Sequence, residues 1–146
     1  MIRKATMADK PQILKLLHDF FQDTDYKFLG WDEQSLSTLI DDLVTKDFTA
    51  LFVDDAVSGC IGGYVTPFWI NMNKKAAQEL FWYVDKSKRG SKVAIGLLNT
   101  FEKWAVEQKA DFIAMSSTTN LDPSGVGALY KRKGYQPADI SYIKEV

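Results

Sequence analysis

The chain has 146 residues, a formal net charge of -1 and a pI near 5.8. That is the size of one ordinary domain, and it lacks the broad positive field of a general nucleic-acid binder. With 46% apolar and 25% charged residues, it matches soluble globular proteins, and neither disorder nor a fibrous architecture is expected. No apolar run approaches the roughly 18 to 20 residues that span a bilayer.

Met1-Ile2-Arg3-Lys4 leads straight into patterned sequence with no signal-like apolar stretch, so a cytoplasmic protein with neither a nucleic-acid nor a membrane partner is the expectation. The one cysteine, Cys60, and the one histidine, His18, cannot build a nitrogen and sulfur cage for a metal. Cys60 lies in an apolar run and reads as a small core residue.

Ile2 to Ala5 reads as a short strand, and Thr6-Met7-Ala8-Asp9 resembles a capping box before a helix marked by Ile13, Leu16, Leu17 and Phe20. Asp23 to Asp32 breaks that periodicity and carries Tyr26, Phe28 and Trp31. A second helix follows on Leu36, Leu39, Ile40, Leu43 and Val44. Thr49 to Val53 and Gly59 to Val65 are β-branched and aromatic runs joined by a polar connection of hairpin length.

Gly62-Gly63 inside the second run predicts a bulge or a close backbone approach. Pro67 to Ala77, with Phe68 and Trp69, reads as a connector, and Leu80 to Val84 as a buried strand. Val93 to Gln108 carries Leu97, Leu98, Phe101, Trp104 and Ala105 at helical spacing. Phe112 to Met115 is another strand. Asp122-Pro123 opens a short helix that Gly134 ends, and Ile140 to Ile143 is expected to close the sheet. The result is a single domain over residues 1–146, α/β (α+β) in class, with element order βααβββαβαβ.

The chemistry concentrates where a strand runs into the clearest helix. Lys86, Lys88, Arg89 and Lys92 gather at a helix N-terminus, where the dipole favours anions by about 0.3 to 1 kcal/mol at exposed sites. First-turn amides lack intrahelical acceptors, and Gly90 and Ser91 permit close approach, so a phosphate-bearing ligand accounts for the cluster. The spacing matches neither a Walker loop nor Gly-x-Gly-x-x-Gly.

Arg89-Gly90-Ser91-Lys92-Val93-Ala94, preceded at the usual distance by Val84, resembles the Gln/Arg-x-x-Gly-x-Gly/Ala signature of the GNAT superfamily of N-acetyltransferases. Ala128-Leu129-Tyr130 to Gly134-Tyr135 resembles its second motif. The resemblance covers nearly the whole chain and implies a GNAT-like mixed, mostly antiparallel sheet flanked by helices. It also implies acetyl-CoA as cosubstrate, without a metal. The Val84 backbone would pair with the pantetheine arm, and amides from Arg89 through Gly90, Ser91, Lys92 and Val93 to Ala94 would hold the pyrophosphate. Tyr130 would protonate the departing thiolate. Two positions depart from the pattern. Lys92 stands where the family has glycine, and Pro123 stands where an asparagine often lies, with Asn120 as a substitute contact.

Transfer to an amine requires a neutral nucleophile, an oxyanion contact and a proton for sulfur. The resemblance places the oxyanion contact at a strand amide near Val84. It implies a carboxylate base on or beside that strand, Glu79 first and Asp85 second. Variable loops usually carry substrate choice. Tyr26, Phe28, Trp31, Phe68 and Trp69 are therefore candidates to flank the acceptor, and Asp23, Asp25 and Asp32 would suit a cationic amine. The acceptor is a small-molecule or protein amine, and because the family often dimerises a homodimer stays open. The competing reading is a non-catalytic CoA-binding or protein-interaction module on the same fold, kept open by Lys92.

Overall fold

The computed structural model describes residues 1–146. Strand β1 (Ile2–Lys4) leads into a 3-10 turn, where the Thr6 amide donates to Asp9 at 2.8 Å and Arg3 forks onto the same carboxylate. This places a charge pair at the entry to helix α1 (Lys10–Asp23), whose Ile13, Leu16 and Leu17 are buried at helical spacing. A loop containing a 3-10 turn at Lys27–Leu29 connects to α2 (Glu33–Thr45), which buries Ile40 and Leu43. Strands β2 (Thr49–Asp54), β3 (Gly59–Phe68) and β4 (Asn71–Val84) follow as hairpins. Helix α3 (Val93–Glu107), strand β5 (Phe112–Ala114) and helix α4 (Pro123–Arg132) come next.

The architecture is a mixed α/β fold built on one five-stranded sheet in the order β1-β2-β3-β4-β5. Every pairing is antiparallel except β4 with β5. Helices α1 and α2 cover one face through a cluster containing Leu51, Val53, Cys60, Phe81 and Tyr83. On the other face α3 packs against Phe52, Ile61, Ala77 and Val84. Cys60 is fully buried, and burial pushes its thiol up to about 12, as suits a core residue rather than a nucleophile.

Gly62-Gly63 does mark a bulge. Gly62 pairs with Phe81 and Gly63 with Glu79, which leaves Leu80 as the extra residue on β4. A Cβ on Gly62 would come within 2.6 Å of the Phe81 ring, and one on Gly63 would collide with the Gln78 carbonyl and Phe101. The bulge reverses strand parity. Ala77 and Glu79 face α3, whereas Phe81, two residues past Glu79, faces α1 and α2.

Two expectations are corrected. Pro67 to Ala77 is not a connector, because β3 and β4 extend through it and turn between Phe68 and Asn71. Its polar run Asn71 to Lys74 is exposed, so hydropathy gives no strand signal, and pairing with β3 alone supports the backbone. The closing strand at Ile140 to Ile143 is absent. Residues 136–146 have no regular structure, make no backbone hydrogen bond and are all exposed, so the observed order is βααβββαβα. A strand has no internal hydrogen bonds and exists only against a partner edge, which these residues do not reach.

Candidate active site

Strands β4 and β5 stay paired only from Ala76 to Gln78 opposite Phe112 to Ala114. From Glu79 onward β4 continues to Val84 without a partner on that side, so the sheet parts there and exposes a stretch of backbone. The Asp85 amide donates to Ser58 at 2.8 Å on the β3 side. Strand alternation therefore turns the N–H and C=O of Val84 toward the parting. Its carbonyl accepts from Arg89 Nε at 3.2 Å, and the Arg89 guanidinium lies 5.3 Å from the centre of the Tyr83 ring.

The turn after β4 carries the basic cluster. Lys86–Lys88 is a 3-10 turn closed by the Asp85 carbonyl, and Gly90 takes a left-handed φ of +85° that would strain a side chain. Lys92 has φ -76° and ψ -3°, an ordinary right-handed conformation, so the missing glycine costs the backbone nothing at this position. Ser91 Oγ accepts from the Val93 amide at 3.3 Å, while the amides of Gly90, Lys92, Ala94 and Ile95 find no protein acceptor. Free first-turn amides among lysines suit the oxygens of a pyrophosphate.

Glu79 and Tyr130 meet at one residue, Ser116, on the two peptide units that flank its Cα. The Ser116 amide donates to Glu79 Oε2 at 3.2 Å, and the Tyr130 hydroxyl donates to the Ser116 carbonyl at 2.6 Å. Burial pushes Glu79 up to about 7, with the Ser116 amide pulling the other way. Burial, helped by the Glu79 charge, raises Tyr130 above the usual phenol range and keeps it protonated at neutral pH. Asp122 caps α4 through Oδ1 and the Gly125 amide at 3.2 Å. Tyr135 and Lys133 both bond Glu102 and pin the far end of α4 to α3, which fixes the Tyr130 ring 6.0 Å from that of Trp82. The buried Trp82 Nε1 has no partner.

The loop after α1 closes the same end of the sheet. Asp25 accepts from Thr119 Oγ1 at 2.5 Å and Asn120 Nδ2 at 2.8 Å, which holds its carboxyl below the usual range. Asn120 is therefore engaged by this loop. Tyr26 and Phe28 are about half exposed on the loop, while Trp31 turns back edge-on to His18 at 4.9 Å. A recess of about 260 Å³ opens between α1 and the end of β4, with Asp19, Asp23, Asp85 and Lys86 among its lining residues. Asp85 accepts from Ser87, whereas Glu79 is the carboxylate bonded to Ser116. Trp69 and Phe68 sit at the β3–β4 turn, the opposite end of a 14-residue strand, and are not brought into the site. Asp32 bonds Ser35 at the start of α2.

Sequence reasoning missed Ser116, Trp82 and the tie made by Asp25. Ser116 acts through its backbone, which no side-chain motif reports. The polar run Ser116-Ser117-Thr118-Thr119 straight after a strand was the only signal available.

The sequence profile described as "Acetyltransferase (GNAT) family" matches residues 11–135, and the chain belongs to that family of acetyltransferases. No curated relative matches by sequence. Among solved structures, a transcriptional regulator from Bacillus halodurans C-125 superposes with TM-score 0.80 at 16% identity, covering 100% of this chain and 99% of that one. A ribosomal-protein-alanine N-acetyltransferase from Brucella melitensis biovar Abortus 2308 gives 0.72 at 18% identity, covering 100% and 98%. An aminoglycoside N-acetyltransferase in complex with CoA gives 0.75 at 13% identity, covering 100% and 93%. These likenesses concern the fold.

Proposed function

We propose that the protein moves an acetyl group from acetyl-CoA to a primary amine by direct attack of the amine on the thioester. The observation that carries this reading is the convergence of Glu79 and Tyr130 on the main chain of Ser116, beside the parting of β4 from β5. Acetyl-CoA supplies the activated acyl group. The free amides of Gly90, Lys92 and Ala94, with Lys86, Lys88 and Lys92 near them, are suited to its phosphates, and the Val84 edge to the pantetheine amides.

Each group then has a role. Glu79, with a pKa near neutrality, accepts the ammonium proton and leaves a neutral amine to attack. An outward-facing β4 amide near Val84 steadies the oxyanion. Tyr130, held as a neutral phenol, returns a proton to the leaving sulfur.

A thermal-shift titration with acetyl-CoA, followed by thiol release with a panel of amines, tests the reading. Stabilisation together with release is the expected result. Stabilisation without release from any amine would favour the non-catalytic CoA-binding module, and no stabilisation would remove both.

A further inference from the structure

One polar group beside the site is left over by the fold. Trp82 lies on the stretch of β4 that has parted from β5, two residues before Val84, and its indole Nε1–H is buried without a hydrogen-bond partner. An indole nitrogen can only donate, and a buried tryptophan usually finds an acceptor for it. Ala77 and Val84, on the same face of β4, are apolar, and a phenylalanine at 82 would fill that face without stranding a donor. Taking the protein as an acetyltransferase, we propose that Trp82 donates its Nε1–H to a carbonyl oxygen of the acyl-pantetheine arm when acetyl-CoA enters the parting.

Neighbouring groups do not use this N–H. The Trp82 and Tyr130 rings lie 6.0 Å apart with their planes inclined by 34°, so an N–H in the indole plane runs too nearly parallel to the phenol to point into its face. The Ser116 carbonyl accepts from the Tyr130 hydroxyl, and Glu79 Oε2 accepts from the Ser116 amide. Trp82 is in phase with Val84, so its main-chain N–H and C=O also face the parting, while its ring packs on the α3 side beside Tyr130. An arm that runs along this edge and brings its sulfur to Tyr130 has to pass the indole.

The donor is covered but movable. Nε1 itself is shut off from solvent, whereas the Trp82 side chain as a whole is only partly buried. The outer torsion of a tryptophan side chain is broad, so a turn of the ring brings the N–H to the open side of the parting. The thioester and amide carbonyls of the arm are the acceptors it lacks. A donor already stripped of water makes that bond without a further desolvation cost.

The chain has 4 tryptophans, and nitrogen-15 NMR resolves their indole N–H signals from the main-chain amides. The signal lost in Trp82→Phe is assigned to Trp82; if that variant does not fold, Trp31→Phe, Trp69→Phe and Trp104→Phe assign it by elimination. Acetyl-CoA is expected to move the Trp82 signal downfield, as a newly hydrogen-bonded proton is deshielded. Adenosine 3′,5′-bisphosphate, the nucleotide end without the arm, should leave it in place. A shift with CoA as well marks an amide carbonyl as the acceptor, and a shift with acetyl-CoA alone marks the thioester carbonyl. By calorimetry Trp82→Phe should weaken acetyl-CoA about three- to tenfold, the scale of one hydrogen bond, with the bisphosphate affinity unchanged. An unmoved indole in a protein that binds acetyl-CoA, or an equal loss of acetyl-CoA and bisphosphate affinity, would overturn the donor and leave the acetyltransferase reading standing. Binding of neither ligand would overturn that reading and the donor with it.

Discussion

Glu79→Gln isolates the physical consequence of a half-buried carboxylate in the parting between β4 and β5. The carboxyl sits at about 7 instead of 4.5, because burial outweighs the one amide hydrogen bond it receives from Ser116. The gap corresponds to about 3 kcal/mol between its two protonation states. A raised folded-state pKa stabilises the protein fully below pH 4.5, and that contribution is lost as pH rises through 7. Glutamine keeps the shape but cannot ionise. Subtracting its urea unfolding free energy from that of the unaltered protein at each pH cancels the other titrating groups. The difference should shift against the unaltered protein by about 2 to 3 kcal/mol between pH 4.5 and pH 8. With acetyl-CoA and amine present, the rate should rise with a midpoint near 7 in the unaltered protein only. A stability difference that stays flat with pH would mean that Glu79 is well hydrated and has no raised pKa to use as a base.

Tyr130→Phe removes the hydroxyl that donates to Ser116 and should cut single-turnover acetylation about 10²- to 10⁴-fold at saturating amine, with CoA binding retained. Lys92→Ala should weaken acetyl-CoA roughly two- to fivefold at low salt, the usual scale for one exposed charge, and the loss should fade at high ionic strength in calorimetry. Lys92→Gly should bind no more tightly than Lys92→Ala, because φ at 92 is already negative; tighter binding would show that the lysine Cβ obstructs the phosphates. Gly63→Ala forces a methyl into the Gln78 carbonyl and the Phe101 ring and should cost roughly 1 to 3 kcal/mol in urea unfolding.

Helix α4 was legible from two independent signals, the Asp122-Pro123 start and the Gly134 stop, and α3 and β5 from their apolar patterning. The basic cluster before α3 stood out because cations at a helix N-terminus oppose the dipole unless an anion belongs there. The outer half of β4 was hidden. Its residues Asn71 to Lys75 touch little core and are defined by β3 and by Asp111, which bonds the Lys75 main chain. Trp69 reads as a site residue when Pro67 to Ala77 is taken as a variable connector; the hairpin carries it to the far end of β4 instead.

The position of Glu79 shows what no periodicity could supply. Strict alternation from Phe81 and Tyr83, which face α1 and α2, would set Glu79 on that same face and away from Tyr130 on α4. The extra residue at Leu80 cancels that parity. The bulge depends on two adjacent glycines in a different strand, since side chains at 62 and 63 would strike Phe81, Gln78 and Phe101. The sequence thus holds the face of the carboxylate in β3 rather than β4. Once the register shifts, Glu79 projects to the α3 and α4 side, where the main chain of Ser116 lies between it and Tyr130. Glu79 and Tyr130 hold the N–H and the C=O of one residue, on consecutive peptide units, and a displacement of the β5–α4 loop would move both contacts.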